Sequence, residues 1–539
     1  MARPPGTSPG RTSRSLVAID LGAESGRVVL GSFDDESVSL EVKSRFATES
    51  LFLHDGRHWN LPGIFTNMLE GLAAAAASAG PGAATAGPKL DGIGIDTWGV
   101  DYAMLDERGR MLGLPFHYRD ARTTDAVIAR TFSRVPRAEL YARTGIQTMP
   151  INTIFQLMAE RSSPSFASAA RIALIPDLLG LWLTGRLVNE STIASTSGLL
   201  DATSGTWARD LVQRLGLPEQ PFTAAVTEPG AKLGPVLDQH RDRAGAAAGA
   251  PVWVVAGHDT ASAFAAAPVT DPHAAILSSG TWSLLGLEVA EPQLGPQALA
   301  SNLTNERGTD GRIRLLRNVM GLWLLQECRR EWRLAGQHHD YEELQRMAAG
   351  ASRDVALFDP DDDALLRGGG MPDLIAAACR RSGGAVGPSR GERGAAGPGG
   401  RSSGEPAGIA ELVRSILVSL ACKYRLVLER LQMVTGNRAA VIHTVGGGVR
   451  NALLCQLTAD ITGLPVLAGP EEATALGNVL TQARALGELG SLAEMRELAA
   501  RSVAITRYEP GGGRADDETY QRFLAVTGLS SQSPAPAAA

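Results

Sequence analysis

Residues 16–30 read LVAIDLGAESGRVVL: an apolar run, an acid, a short turn of glycine and hydroxyl residues, and a second apolar run. Residues 275–286, AILSSGTWSLLG, repeat the apolar run, turn and apolar run without the acid. Each predicts two antiparallel strands joined by a tight turn. A polyphosphate lying between two such turns would meet backbone N–H groups from both sides. A charged tail is then held without a buried charge on the protein. No G-x-x-x-x-G-K-[ST] stretch is present, so phosphate binding here would differ from that of a P-loop.

Working outward from residue 16, Leu16–Asp20, Val28–Ser32 and Val38–Arg45 read as a strand meander. A helix is expected from Pro62 to Ala79, stopped by Gly80-Pro81-Gly82. Strands at Gly92–Asp96 and Val100–Leu105 follow, which implies an α/β layered domain. From Thr123 to about Leu215 the pattern is mostly helical, punctuated by Pro115, Pro150, Pro164 and Pro176. A short buried strand is expected at Val252–Ala256. The opening plan then restarts, with strands at Ala274–Ser278, Thr281–Glu288 and Arg312–Leu316 and a helical run from Val319 to about Leu334. The order of elements recurs although the residues do not, which predicts two similar halves with a cleft between them.

At 539 residues the chain is too long for one core. Its net charge of −6 argues against a general nucleic-acid binder, and no apolar run reaches the length of a membrane span. The four cysteines, Cys328, Cys379, Cys422 and Cys455, show no paired spacing. That pattern disfavours a metal cage, fits a reducing, cytoplasmic setting, and suggests buried thiols. Residues 1–15 read as a disordered leader rather than a secretory signal. The Gly/Pro/Ser/Arg stretch 382–408 reads as a disordered insertion, and 511–539 as a mostly disordered tail. The folded portions expected are 16–265 and 266–510.

Five segments can carry chemistry. Asp20 ends a strand two residues before Gly22, where a carboxylate can hold Mg²⁺ through water; a strand-end Asp capping a turn is the plain alternative. Ser25, Gly26 and Arg27 would line the same turn. In AGHDTASA, residues 256–263, Asp259 stands at a helix start, where the dipole favours its ionised form. Such a carboxylate can take a proton from a hydroxyl that attacks a γ-phosphate, or it can simply cap the helix. His258 reads as a packing or positioning residue, since a lone histidine seldom holds a metal.

In GIDTWGVD, residues 94–101, Trp98 could floor a sugar pocket with carboxylates for its hydroxyls, or be a buried Trp among turn residues. Arg119, Asp120 and Arg122 would brace that pocket or begin a helix. In VGGGVRN, residues 445–451, a glycine junction lets a flat ring approach the backbone, with Asn451 free to bond to it.

Taken in order from about Leu16 to Tyr508, these segments resemble the FGGY carbohydrate kinases, a branch of the actin, Hsp70 and hexokinase superfamily. DLGAESGR, GIDTWGVDY, GHDTASA, SSGTWSLLG, LRNVMGLWLLQE and GGGVRNALL resemble the members of that family that act on L-rhamnulose. The resemblance implies two similar actin/Hsp70/hexokinase-like (ribonuclease H-like) α/β domains flanking a catalytic cleft. It implies transfer of the ATP γ-phosphoryl group to O1 of L-rhamnulose.

By matching positions, Asp259 would be the general base, and Gly99, His258, Thr260 and Asn318 would contact the sugar. Ala23, Glu24, Ser25, Gly26, Arg27, Thr281, Gln326 and Gly447 would contact ATP, with Asp20 near Mg²⁺. Glu24 departs from the small residue expected in a phosphate turn, because a carboxylate repels phosphate. The partners implied are a small sugar and ATP, with no nucleic acid or membrane, in a monomer or small homo-oligomer. Competing readings are an FGGY kinase for fuculose, xylulose, ribulose or glycerol, and a non-catalytic actin/Hsp70-like ATP switch. A sugar-responsive repressor is disfavoured, since the N-terminus has no helix-turn-helix and little basic charge.

Overall fold

The computed structural model describes residues 14–33, 36–79, 90–271, 273–366, 368–381 and 406–531. β1 (Arg14–Leu21), β2 (Ser25–Phe33) and β3 (Val38–Ala47) form an antiparallel meander. A small hairpin, β4 (Ser50–Leu53) and β5 (Gly56–Trp59), and the helix Leu61–Ser78 follow; β6 (Gly92–Thr97) then returns parallel to β1. β7 (Tyr102–Leu105) pairs with β8 (Arg171–Leu174) in a separate ribbon. β9 (Lys232–Pro235) and β10 (Pro251–Trp253) complete a six-stranded sheet in the order β3-β2-β1-β6-β10-β9.

The second half contributes β11 (Ala274–Ser279), β12 (Trp282–Val289), β13 (Thr304–Arg307), β14 (Ile313–Met320), β15 (Val441–Val445), β16 (Val466–Ala468) and β17 (Thr506–Tyr508). Their order is β13-β14-β12-β11-β15-β16-β17. Set the edge strand β13 aside and the two sheets have one plan. A central strand (β1, β11) has two antiparallel neighbours on one side. On the other it has two parallel strands and an antiparallel edge. The duplication expected from element order is therefore a duplication of topology.

β1 is apolar at successive positions because both of its faces are covered. Val17 and Ile19 pack with Ile64, Met68 and Leu72 of the helix Leu61–Ser78. Leu16 and Ala18 pack with Leu476, Val479 and Leu480 of the helix Ala473–Ala485, which belongs to the other half. Reciprocally, Phe264 on the helix Asp259–Ala266 covers Ile276, Leu284 and Leu316 of the second sheet. The two exchanged helices cross so closely that a Cβ on Gly477 would lie 1.8 Å from the Ser262 carbonyl oxygen. Polar side chains complete the seam: Asn478 donates to Asp96 (2.6 Å) and Gln482 to the Val17 carbonyl (2.9 Å).

Several expectations are corrected. Val319 and Met320 end β14, and the helix begins at Trp323, because the strand must first pair along β12. Tyr102–Leu105 pairs outside the first sheet, since β10 already occupies the free edge of β6. Of the leader 1–15, Arg14 and Ser15 lie in β1, where Arg14 bonds Glu488; the rest lies outside the described residues. So do the glycine stop at 80–82 and most of 382–408, whose last residues start the helix Pro406–Thr435. Within 511–539, the helix Arg514–Thr527 is ordered because it buries Tyr520 and Phe523 against the second half's core. All four cysteines are free and buried, as expected.

Candidate active site

A cleft of about 1170 Å³ lies between the halves, where the β1–β2 turn, the β11–β12 turn and the glycine triplet converge. The first turn is closed by Gly22 N–H donating to the Ser25 carbonyl (3.1 Å), the second by Gly280 N–H donating to that of Trp282 (2.8 Å). The triplet sits against the end of β11. Gly446 has φ 87°, and a Cβ on Gly448 would lie 2.0 Å from Ser279 Oγ, so side chains are excluded there. Gly447 opens onto free space. The Ser279 hydroxyl and the Gln326 amide oxygen are buried without partners among the described residues, leaving two polar atoms for a ligand to satisfy.

Asp20 faces the cleft from the end of β1 and pairs with Arg27 (2.9 Å), which also pairs with Glu472 (2.8 Å) of the other half. Asp96 stands beside Asp20 in register on β6, with one carboxylate oxygen unpartnered. Burial, with repulsion from Asp20, raises its pKa well above the usual carboxylate range. Among the described residues no cluster of three or more metal-ligating side chains exists. Mg²⁺ bound mainly by phosphate oxygens and water needs only one or two carboxylates, and Asp20, which lines the cleft, fits that donor set.

Asp259 begins the helix Asp259–Ala266 and lies on the cleft wall with its side chain 28% exposed. One carboxylate oxygen, Oδ1, accepts from Thr260 N–H (2.5 Å) and Thr260 Oγ (3.0 Å). Burial, with repulsion from Asp20, raises its pKa, against the hydrogen bonds from Thr260. Its loop is fixed from below by Glu190, a buried carboxylate that accepts from Gly257 N–H (2.9 Å) and Thr192 Oγ (2.7 Å). That Thr192 hydroxyl oxygen in turn accepts from His258 N–H (3.1 Å).

The second half reaches across to the same loop. Arg314, fully buried on β14, donates from Nη2 to His258 Nδ1 (3.0 Å) and pairs with Glu306 (3.1 Å) on β13. Burial opposes ionisation of Glu306, but Arg314 outweighs it and holds its carboxyl at about 2. Asn318 is placed by Gln147, whose side-chain oxygen accepts from Asn318 N–H (2.9 Å) and whose amide donates to the Asn318 carbonyl (3.2 Å).

Opposite lies the Trp98–Gly99–Val100–Asp101 loop. Its carboxylates face inward, which corrects the expectation that they meet sugar hydroxyls. Asp96 is fully buried, and Asp101 accepts from Trp59 Nε1 (2.6 Å), Trp98 Nε1 (3.0 Å), Tyr118 N–H (3.2 Å) and Gln156 (3.0 Å). Burial still pushes Asp101 up to about 6. Val100, β-branched, sits at φ 68°, a strained conformation held by Thr196 and Thr153. Arg119, Asp120 and Arg122 do brace this wall. Arg119 is packed on Tyr118, Trp282 and Trp323 and donates to the Leu366 carbonyl; Asp120 accepts from Arg57 N–H; Arg122 pairs with Glu160.

The structure thus brings Asp20, Ala23, Glu24, Ser25, Arg27, Gly99, His258, Asp259, Thr260, Thr281, Asn318, Gln326 and Gly447 to one cleft. Gly26 is the exception: its Cβ position meets Leu21 and Phe46 at 2.6 Å, so it packs behind the turn. Glu24 lines the cleft; crowding by the protein and Glu327 raise its carboxyl pKa against the pull of Arg119, Arg57 and Arg330. Asn451 caps the helix Ala452–Thr462 by accepting from Leu454 N–H (2.9 Å). Sequence reasoning missed Gln147, Glu190, Glu306 and Arg314. The signal for Arg314 was a charge inside the apolar strand pattern of β14.

Two family models match the chain: the FGGY family of carbohydrate kinases, N-terminal domain, over residues 15–265, and its C-terminal domain over 275–486. A rhamnulokinase from Bacteroides thetaiotaomicron is 39% identical over 512 residues, covering 95% of this chain and 99% of that protein. One from Pectobacterium carotovorum is 38% identical over 527 residues, covering 97% and 98%. The fold is similar to that of the crystal structure of gluconate kinase from Lactobacillus acidophilus, with TM-score 0.73 at 17% identity over 95% of this chain and 96% of that one.

Proposed function

The chain belongs to the FGGY family of carbohydrate kinases, and from that premise we propose that it transfers the γ-phosphoryl group of ATP to O1 of L-rhamnulose. The observation that carries this reading is the placement of Asp259 on one cleft wall with both phosphate turns. The choice of sugar is supported by full-length likeness to two rhamnulokinases.

In this reading ATP lies between the β1–β2 turn, Thr281 and Gly447, and the sugar rests among Gly99, His258, Thr260 and Asn318. Asp259 takes the proton from the O1 hydroxyl as O1 attacks the γ-phosphorus. The bond to the β–γ bridging oxygen breaks, and its electron pair leaves with ADP. Mg²⁺ would be held near Asp20 and would neutralise phosphate charge. The remaining work is positioning: Glu190 fixes the loop bearing Asp259, and Gln147 fixes Asn318.

The test is ADP release with Mg-ATP and a panel of L-rhamnulose, L-fuculose, D-xylulose, L-ribulose and glycerol. Strong stimulation by L-rhamnulose alone is expected. Preference for another sugar would displace the substrate while keeping the kinase; silence with all five would refute the reading.

A further inference from the structure

We propose that Arg314 is a positioning residue that fixes His258 as its neutral Nε2–H tautomer, so that a hydrogen-bond donor faces the cleft beside Asp259. The proposal rests on the kinase reading above, in which Asp259 is the base.

A neutral imidazole has one N–H and one bare nitrogen, and the partner of either decides which is which. His258 Nδ1 has two neighbours with opposite demands. Arg314 Nη2, 3.0 Å away with hydrogen-bonding geometry, can only donate. Glu306 Oε2, 3.3 Å away, can only accept when ionised, and it is placed as an ion-pair neighbour without hydrogen-bond geometry. Glu306 already has Arg314 as its countercharge at 3.1 Å. The arginine therefore takes Nδ1 as its acceptor, and the ring proton resides on Nε2. Nε2 lies 3.5 Å from Asp259 Oδ1, beside Gly99 on the wall of the cleft.

The consequence is chemical. An Nε2–H can donate to a sugar oxygen next to the attacking hydroxyl. The opposite tautomer would set a bare nitrogen against the Asp259 carboxylate and repel both it and sugar oxygens. The lock also spans the cleft: His258 precedes the helix Asp259–Ala266 of the first half, whereas Glu306 and Arg314 stand on β13 and β14 of the second. The donor is thus set only when the halves stand as they do here.

The experiment is long-range ¹H–¹⁵N spectroscopy of the histidine-labelled full chain at neutral pH, with His258 assigned by the loss of its signals in His258→Asn. A protonated Nε2 and a bare Nδ1 are expected. A protonated Nδ1, or a doubly protonated ring, overturns the proposal whatever sugar the enzyme uses. Glu306→Gln separates the two neighbours: the tautomer persists if Arg314 sets it and shifts if Glu306 does. Arg314→Met is expected to lower kcat/KM by about 10- to 100-fold, the scale of a lost charge-assisted hydrogen bond. Arg314→Lys, which restores a donor, should recover part of that loss and keep the Nε2–H signature. An Arg314→Lys enzyme no better than Arg314→Met, though folded, would also overturn it.

Discussion

Asp259→Asn is the substitution that separates chemistry from folding at this site. In the native protein Oδ1 accepts from Thr260 N–H at 2.5 Å and Thr260 Oγ at 3.0 Å. An asparagine oxygen accepts both, so the helix start survives. What changes is the second carboxylate oxygen, which becomes an NH₂ group that cannot take a proton. Loss of a general base costs roughly 10²–10⁴ in turnover, or about 3–5 kcal/mol of barrier. Stability should move the other way. Burial raises the Asp259 carboxyl, so the folded state binds this proton more tightly than the unfolded chain. The resulting stability is fully present below about 3.9, the ordinary Asp value, and is lost as pH rises through the folded-state value. At neutral pH the ionised side chain is therefore a cost, and the asparagine variant should melt no lower than the wild type.

The assay is coupled ADP release for kcat, calorimetry for ATP affinity and thermal melting, all on one preparation. ATP affinity should be unchanged, because the hydrogen bonds of Asp259 run to Thr260 and the β1–β2 turn, Thr281 and Gly447 proposed to hold ATP are left as they are. The acid limb of the wild-type rate profile should lie above the ordinary Asp range and vanish in the variant. Turnover within about threefold of wild type would remove Asp259 as the base. A fall in melting temperature together with lost ATP binding would refute the separation argued from Thr260.

Asp101→Ala strips the acceptor from four donors, those of Trp59, Trp98, Tyr118 and Gln156. At about 1–3 kcal/mol for a buried donor left unpaired, the denaturant midpoint should fall sharply; an unchanged midpoint would contradict the network. Gly477→Ala drives a Cβ to within 1.8 Å of the Ser262 backbone oxygen. The crossing helices must part, costing about 1–3 kcal/mol, which chemical denaturation would read. Gly448→Ala pushes against Ser279 at the end of β11. Steady-state kinetics should show KM for ATP raised about tenfold, the equivalent of 1.4 kcal/mol, with KM for the sugar little changed.

Much of the fold was legible because its central strands are locally encoded. LVAID and AAILS are apolar at successive positions, and the turns that follow carry the glycines a tight reversal needs. The shortest strands were less so. β9, β13, β16 and β17 are three or four residues long, too short for a periodic signal. The helix Arg514–Thr527 buries only Tyr520 and Phe523 fully, with Leu524 and Val526 half-buried beside them, a weak signal in the sequence. Candidate site residues on turns were readable for the same local reason. Gly26 was misplaced because a glycine in a turn does not say which side it presents. Asp101 was misread because three of its four donors, those of Trp59, Tyr118 and Gln156, come from separate segments outside its own loop.

By itself, then, the sequence determined the strand meanders, the two glycine turns, the helix start at Asp259 and the family these segments resemble. Each is written in a few consecutive residues. Only the tertiary structure decided that Asn478 and Gln482 seal the first sheet, that Glu190 holds the loop of Asp259, and that Arg314 reaches His258. These pairings join residues tens to hundreds of positions apart. They exist because burying a charge or an amide demands a partner, and the partner is supplied by whichever segment the packing of two sheets and two exchanged helices brings near.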